Sequence, residues 1–217
     1  LFWDWIAQAW RATPEGDAIR AAIVGGQFEY ADARQRMRPF FDSLDRWLGH
    51  LTKEGLVTFC REFERVVFAL DREDFARHLG LGDDGFHDAR ATNVLLGEAH
   101  YREVAKDFRK ATRVALEDAS FLLRRHWETR YGEPLPRFDV NTSTGSNPDG
   151  WPRVRARAAR DARVGAAVEH LARELRLGGG EPRLVSGGFL NVAIPNLAPG
   201  ELALVFRRLA ATLGEKE

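Results

Sequence analysis

The sequence predicts a mostly α-helical protein, an irregular helical bundle followed by a small C-terminal α-β-β-α appendage. Three observations carry this. Apolar residues recur at spacings of three and four through most of the first 131 residues, glycine and proline punctuate the runs, and one short stretch near the C-terminus, RLVSGGFLNVAI, has the form of two strands around a Gly-Gly turn.

The first helix opens with FWDWIAQAW, three tryptophans in eight residues. At 100° per residue Phe2, Trp3, Trp5, Ile6, Ala9 and Trp10 fill one wide arc, with Asp4, Gln8 and Arg11 opposite, the pattern of a helix docked on a core. After a turn at Gly25-Gly26, Pro39 is placed near the start of a helix with Phe41, Leu44, Trp47, Leu48 and Leu51 on its inner stripe. Thr52 caps the next helix, in which Leu56, Phe59, Cys60, Phe63, Val66, Val67 and Leu70 repeat at three and four. A short segment around Phe75 leads to LGDDGFHDAR, which opens a helix running through Leu96. From His100 to Tyr131 the periodicity is helical, with one break near Asp107, and Gly132 with Pro134 ends it.

These elements group into a helical domain over 1–135, a connector rich in Pro, Gly and Asn over 136–152, and the appendage over 153–217. In the appendage Val164, Val168, Leu171 and Leu175 form one apolar stripe, Gly187-Gly188 the hairpin turn, and Leu202, Val205, Phe206, Leu209 and Leu213 a final amphipathic helix.

The 217 residues are 44% hydrophobic and 29% charged, enough for one substantial core and a hydrated surface. The balance of 32 basic and 32 acidic residues excludes a surface wholly committed to nucleic acid or anionic lipid. Four lysines leave 28 arginines, read as codon bias. A single cysteine, Cys60, on an apolar helical pattern fits a reducing cytoplasm, and no apolar run approaches the ~20 residues that cross a bilayer. The sequon Asn141-Thr142-Ser143 carries no weight without a secretory signal.

Three candidate chemistries remain. Gly80, Gly82 and Gly85 match the spacing of a dinucleotide loop, but a helix precedes them and Asp83 and Asp84 would repel a phosphate. Asp83, Asp84, His87 and Asp88 offer ligands for a metal or an acid/base site, with Glu98 or His100 farther along. The architectural reading is favoured over both. In it Asp83 or Asp84 caps the helix, Gly85 allows a tight entry, Phe86 plugs the core and Arg90 pairs back to a carboxylate. The third candidate is the arginine run, in which Arg153, Arg157 and Arg160 share a helix face able to follow a phosphate backbone or an acidic partner, alongside Arg155 and Arg163. A solvated face is the simpler account. No cofactor motif is present, and no nucleophile is paired with a base along the chain.

Several stretches together resemble the bacterial domain of unknown function 4240 family: the opening Phe-Trp helix, Leu48-x-x-Leu51-Thr52-x-Glu54 with the apolar helix after it, GDDGFHDARATNVLLG from Gly82 to Gly97, YGEPLP, and Gly150-Trp151. The resemblance covers roughly residues 1–152. Where the family continues Phe-Arg-x-Trp-Leu-Ile, this chain has Ala89-Arg90-Ala91-Thr92-Asn93-Val94. It implies an α-helical bacterial domain and supplies no reaction. By elimination, the expectation is a cytoplasmic binding or regulatory module that recognises another protein. The alternatives are an enzyme built on Asp83, Asp84, His87 and Asp88, and nucleic-acid binding through the Arg153 to Arg163 run.

Overall fold

The computed structural model describes residues 1–153, 183–185 and 189–191. The chain divides into two compact units, Leu1–Pro152 and Arg153–Glu217. The boundary therefore falls at the end of the Pro/Gly/Asn-rich segment, and that segment belongs to the first unit.

The first unit is helical. Helix α1 (Phe2–Arg11) buries Ile6, Ala9 and Trp10 as its arc requires. Trp10 stacks on Phe40 with ring centroids 4.3 Å apart and donates its indole N–H to the Leu95 carbonyl at 2.8 Å. A helix α2 (Gly16–Val24) precedes the glycine turn and buries Ile19 and Ile23.

Helix α3 (Tyr30–Gly49) corrects the placement of Pro39, which lies inside it instead of near its start. The stripe Ala33, Met37, Phe40, Phe41, Leu44 and Leu48 is buried throughout and holds the helix together across the proline. Pro39 itself is exposed, as is Gln35, so the carbonyl that loses its partner four residues on can be hydrated.

Helix α4 (Lys53–Ala69) forms as expected. Thr52 Oγ1 accepts from the Gly55 N–H at 3.1 Å, and Leu56, Phe59, Cys60, Phe63 and Val67 are buried. Burial pushes the Cys60 thiol up to about 12, which leaves it a core residue and not a nucleophile.

Helix α5 (Glu73–Leu79) is followed by α6 (Asp83–Leu95), the central element, which packs against α4, α8 (Glu117–Tyr131) and α7 (Glu98–Lys106). Every residue of α6 from Ala89 to Leu95 is buried, which accounts for the small side chains Ala89, Ala91 and Thr92 on a helix enclosed on several sides.

The break near Asp107 is wider than the periodicity suggested. After α7 come a single 3-10 turn (Phe108–Lys110) and an extended stretch in which Thr112, Val114 and Leu116 are buried while Arg113 is exposed. That is the alternation of a strand-like segment. Asn93 holds it: its Oδ1 accepts from the Thr112 N–H at 3.0 Å and its Nδ2 donates to the Thr112 carbonyl at 3.1 Å. Helix α8 then ends at Gly132, whose φ of +65° is the left-handed turn glycine supplies.

In the second unit β1 (Arg183–Val185) pairs antiparallel with β2 (Phe189–Asn191), Leu184 opposite Leu190. The two helices expected to flank this pair lie outside the described residues.

Candidate functional site

The acidic stretch is architectural by a different route from the one its sequence suggested. The N-cap of α6 is Gly82, and no side chain caps it, so Asp83 and Asp84 are exposed first-turn residues and not the expected caps. They still sit at the positive end of the helix, where negative charge is favourable. Gly85 lies inside α6 against Leu81 and is not a tight entry turn. Phe86 does fill the core, edge-on to Phe75 at 5.4 Å.

The four acid/base or metal candidates do not converge. Asp88 turns to α8, where its carboxylate accepts from Ser120 Oγ. Burial raises the pKa of Asp88 and lowers that of His87, whose Nδ1 is 3.9 Å from Asp88. His100 is bonded to the Asn93 side chain at 2.8 Å and Glu98 pairs with Arg102 at 2.7 Å. Among the described residues no group of three or more His, Cys, Asp or Glu is placed to hold a metal ion. Of the arginine face, Arg153 is exposed, while Arg157 and Arg160 lie outside the described residues.

Arg90 does pair with a carboxylate, that of Asp71 just beyond α4. Both side chains are fully buried, with Arg90 Nη1 3.6 Å from Asp71 Oδ1. Arg90 lies over the Phe86 ring at 4.7 Å and donates to the Thr142 carbonyl at 2.7 Å. Burial lowers its pKa to about 10 against the opposing pull of Asp71. The Asp71 carboxylate accepts from the Gly145 N–H at 3.1 Å, the Asn147 N–H at 2.9 Å and the Trp151 indole at 2.9 Å, with Ser146 Oγ at 3.3 Å. The Glu73 N–H donates to the Gly150 carbonyl at 2.8 Å. A Cβ on Gly150 would stand 2.0 Å from the Asp71 carbonyl oxygen, so only glycine fits. The segment from Asn141 to Trp151 is thus a clasp that saturates a buried charge, as a buried carboxylate requires.

Open chemistry lies elsewhere, between α3 and α8. Arg34 bonds Asp118 at 2.8 Å, His126 bonds Asp45 at 2.7 Å and Arg130 donates to the Leu48 carbonyl at 3.2 Å. These pairs advance together along both helices, so α3 and α8 run parallel and leave a groove between them. It consists of two adjoining hollows of about 830 and 460 Å³ that share Phe41, Asp42 and Arg125. Arg34, Arg38, Arg125 and Arg130 alternate along it with Asp42, Asp45 and Asp118. One of the exposed large hydrophobic residues, Tyr30, 46% exposed, lies in its wall, while Phe121, 42% exposed on α8, lies under the Arg124 guanidinium and lines neither hollow. No apolar periodicity marks these positions, so sequence reasoning missed them. The available signal was the polar remainder of α3, at spacings of three and four opposite its buried stripe.

Compared with known proteins, the chain matches no family model, no curated protein and no solved structure.

Proposed function

We propose that the chain is a protein-binding module whose contact surface is the α3–α8 groove. The observation that carries this is the composition of an open groove: arginines interleaved with aspartates, with the exposed ring of Tyr30 in its wall. Arginine and tyrosine are the side chains that most often anchor protein interfaces, because each brings contact area and directional hydrogen bonds together. The Arg38 guanidinium is exposed and has no bonded partner within the described residues. The three aspartates argue against a nucleic-acid strand, whose closely spaced phosphates would face them along the same wall.

From Ala31 to Asp45 the groove wall on α3 is about 21 Å long, the span of about six or seven extended residues or of a short helix. Short displayed peptides selected on the intact chain therefore test the reading. Recovered peptides are expected to shift NMR resonances of Tyr30, Arg38 and Arg125, and to lose about tenfold or more in affinity on Arg125→Glu. Peptides that bind only away from the groove, or none at all on a monomeric chain, would overturn it.

The acid/base reading on Asp83, Asp84, His87 and Asp88 has less support. Two of the four are exposed first-turn residues and Asp88 is committed to Ser120.

A further inference from the structure

The outer face of α3 carries a stripe at spacings of four and three: Ala31, Gln35, Arg38, Asp42, Asp45 and Gly49. All six are exposed, and the first five line the groove. The same spacing sets the contact seam when two helices pack along their length. An apolar seam would identify only a greasy surface. This one is polar, and its order along the helix is informative.

Reversing the stripe about residue 40 brings residues at equal distances on either side opposite one another. Arg38 then faces Asp42, Gln35 faces Asp45, and Ala31 faces Gly49. The pairings are complementary: opposite charges at the centre, an amide one turn out against the carboxylate that His126 already holds through Oδ1, and two of the smallest residues at the ends, where neither obstructs the other. Arg38 and Asp42 lie one turn apart on the same helix, yet no ion pair joins them or links either to another described side chain. Each is left with an unmet charge of the sign the other would supply from a second molecule.

Resting on the proposal that the groove binds protein, we infer that its occupant is a second copy of this chain, with α3 packed antiparallel against α3 across a two-fold axis near residue 40. Such an interface is isologous, so the Arg38–Asp42 ion pair forms twice across the axis. The half-exposed ring of Tyr30 in the groove wall supplies apolar area beside the polar seam.

Sedimentation equilibrium on the intact chain tests this, using the native protein with Arg38→Asp and Asp42→Arg. The native chain is expected to dimerise at micromolar concentration. Each single substitution places like charges opposite each other twice, and is expected to raise the dimer dissociation constant by about tenfold or more. An equimolar mixture of the two single variants restores both central pairs, as does the double variant Arg38→Asp/Asp42→Arg, so both are expected to dimerise again. Both positions are exposed, and unchanged circular dichroism checks that the variants fold. Dimerisation that ignores either substitution, or loss that neither the mixture nor the double variant restores, would overturn the inference. A monomeric native chain that still holds a selected peptide in the groove would overturn self-pairing alone. A monomeric chain that holds none would remove the binding reading as well.

Discussion

Two parts of the first unit handle charge in opposite ways. Around Asp71 and Arg90 the charges are fully buried; backbone amides and an indole from residues 145–151 satisfy the Asp71 carboxylate, and the Thr142 carbonyl accepts from Arg90, whose Nε stays without a partner. Along the α3–α8 groove most of the charges are exposed, and Arg38 and Asp42 have no ion-pair partner among the described residues. The contrast separates architecture from recognition. A buried carboxylate must be saturated before the fold can exist, whereas an exposed unpaired one costs almost nothing until a partner arrives.

If that contrast holds, the largest loss of stability comes from the clasp. Asp71→Ala leaves the Arg90 guanidinium buried without its counter-charge and is expected to cost about 3–5 kcal/mol, read from the denaturant midpoint. A cost below about 1 kcal/mol would show that the clasp is incidental. Gly150→Ala forces a methyl group against the Asp71 carbonyl and is expected to cost about 1–3 kcal/mol, although the glycine bears no charge.

Protonation gives the next effect. Burial raises the Glu64 carboxyl to about 7 in the folded chain, while its ordinary value is 4.5. The folded state therefore holds a proton that the unfolded state has lost between pH 4.5 and 7, and Glu64 makes stability fall as pH rises through that window. His100, lowered by burial to about 4 from 6.5, has the opposite sign: its contribution is present above 6.5 and is lost as pH falls towards 4. The two oppose each other in the native chain. Glu64→Gln is expected to gain roughly 1 kcal/mol at pH 8 relative to pH 4, after discounting for solvent screening, in thermal melts across that range. A pH-independent difference between variant and native chain would show that Glu64 does not titrate there.

The smallest stability effect is expected in the groove. Arg38→Asp should change the unfolding free energy of the dilute, monomeric chain by less than about 0.5 kcal/mol while altering association, and a large loss would place Arg38 on the structural side of the contrast.

What could be read from sequence divides along similar physical lines. Helix α4 was legible because its cap and its apolar residues are local and periodic. In α3 the proline suggested a start, but the buried stripe from Ala33 to Leu48 outweighs one missing hydrogen bond. The extended stretch after Lys110 reads as helix because Thr112, Ala115 and Ala119 fit spacings of three and four, while the alternation Thr112, Val114, Leu116 is too short to compete, and its bonds to Asn93 decide. The clasp reads as a connector from its Gly, Pro, Ser and Asn content. Its partner Asp71 is 80 residues from Trp151, and nothing local announces so distant a bond. The groove was missed because the search for a core discards the face of α3 that points to solvent.

The indole of Trp151 also governs how the chain can be divided. Cutting after residue 135, where composition suggested a boundary, would strip Asp71 of its indole and amide donors and open a buried cation to water. A fragment meant to stand alone should run to Pro152, ending beyond the ring that plugs that opening.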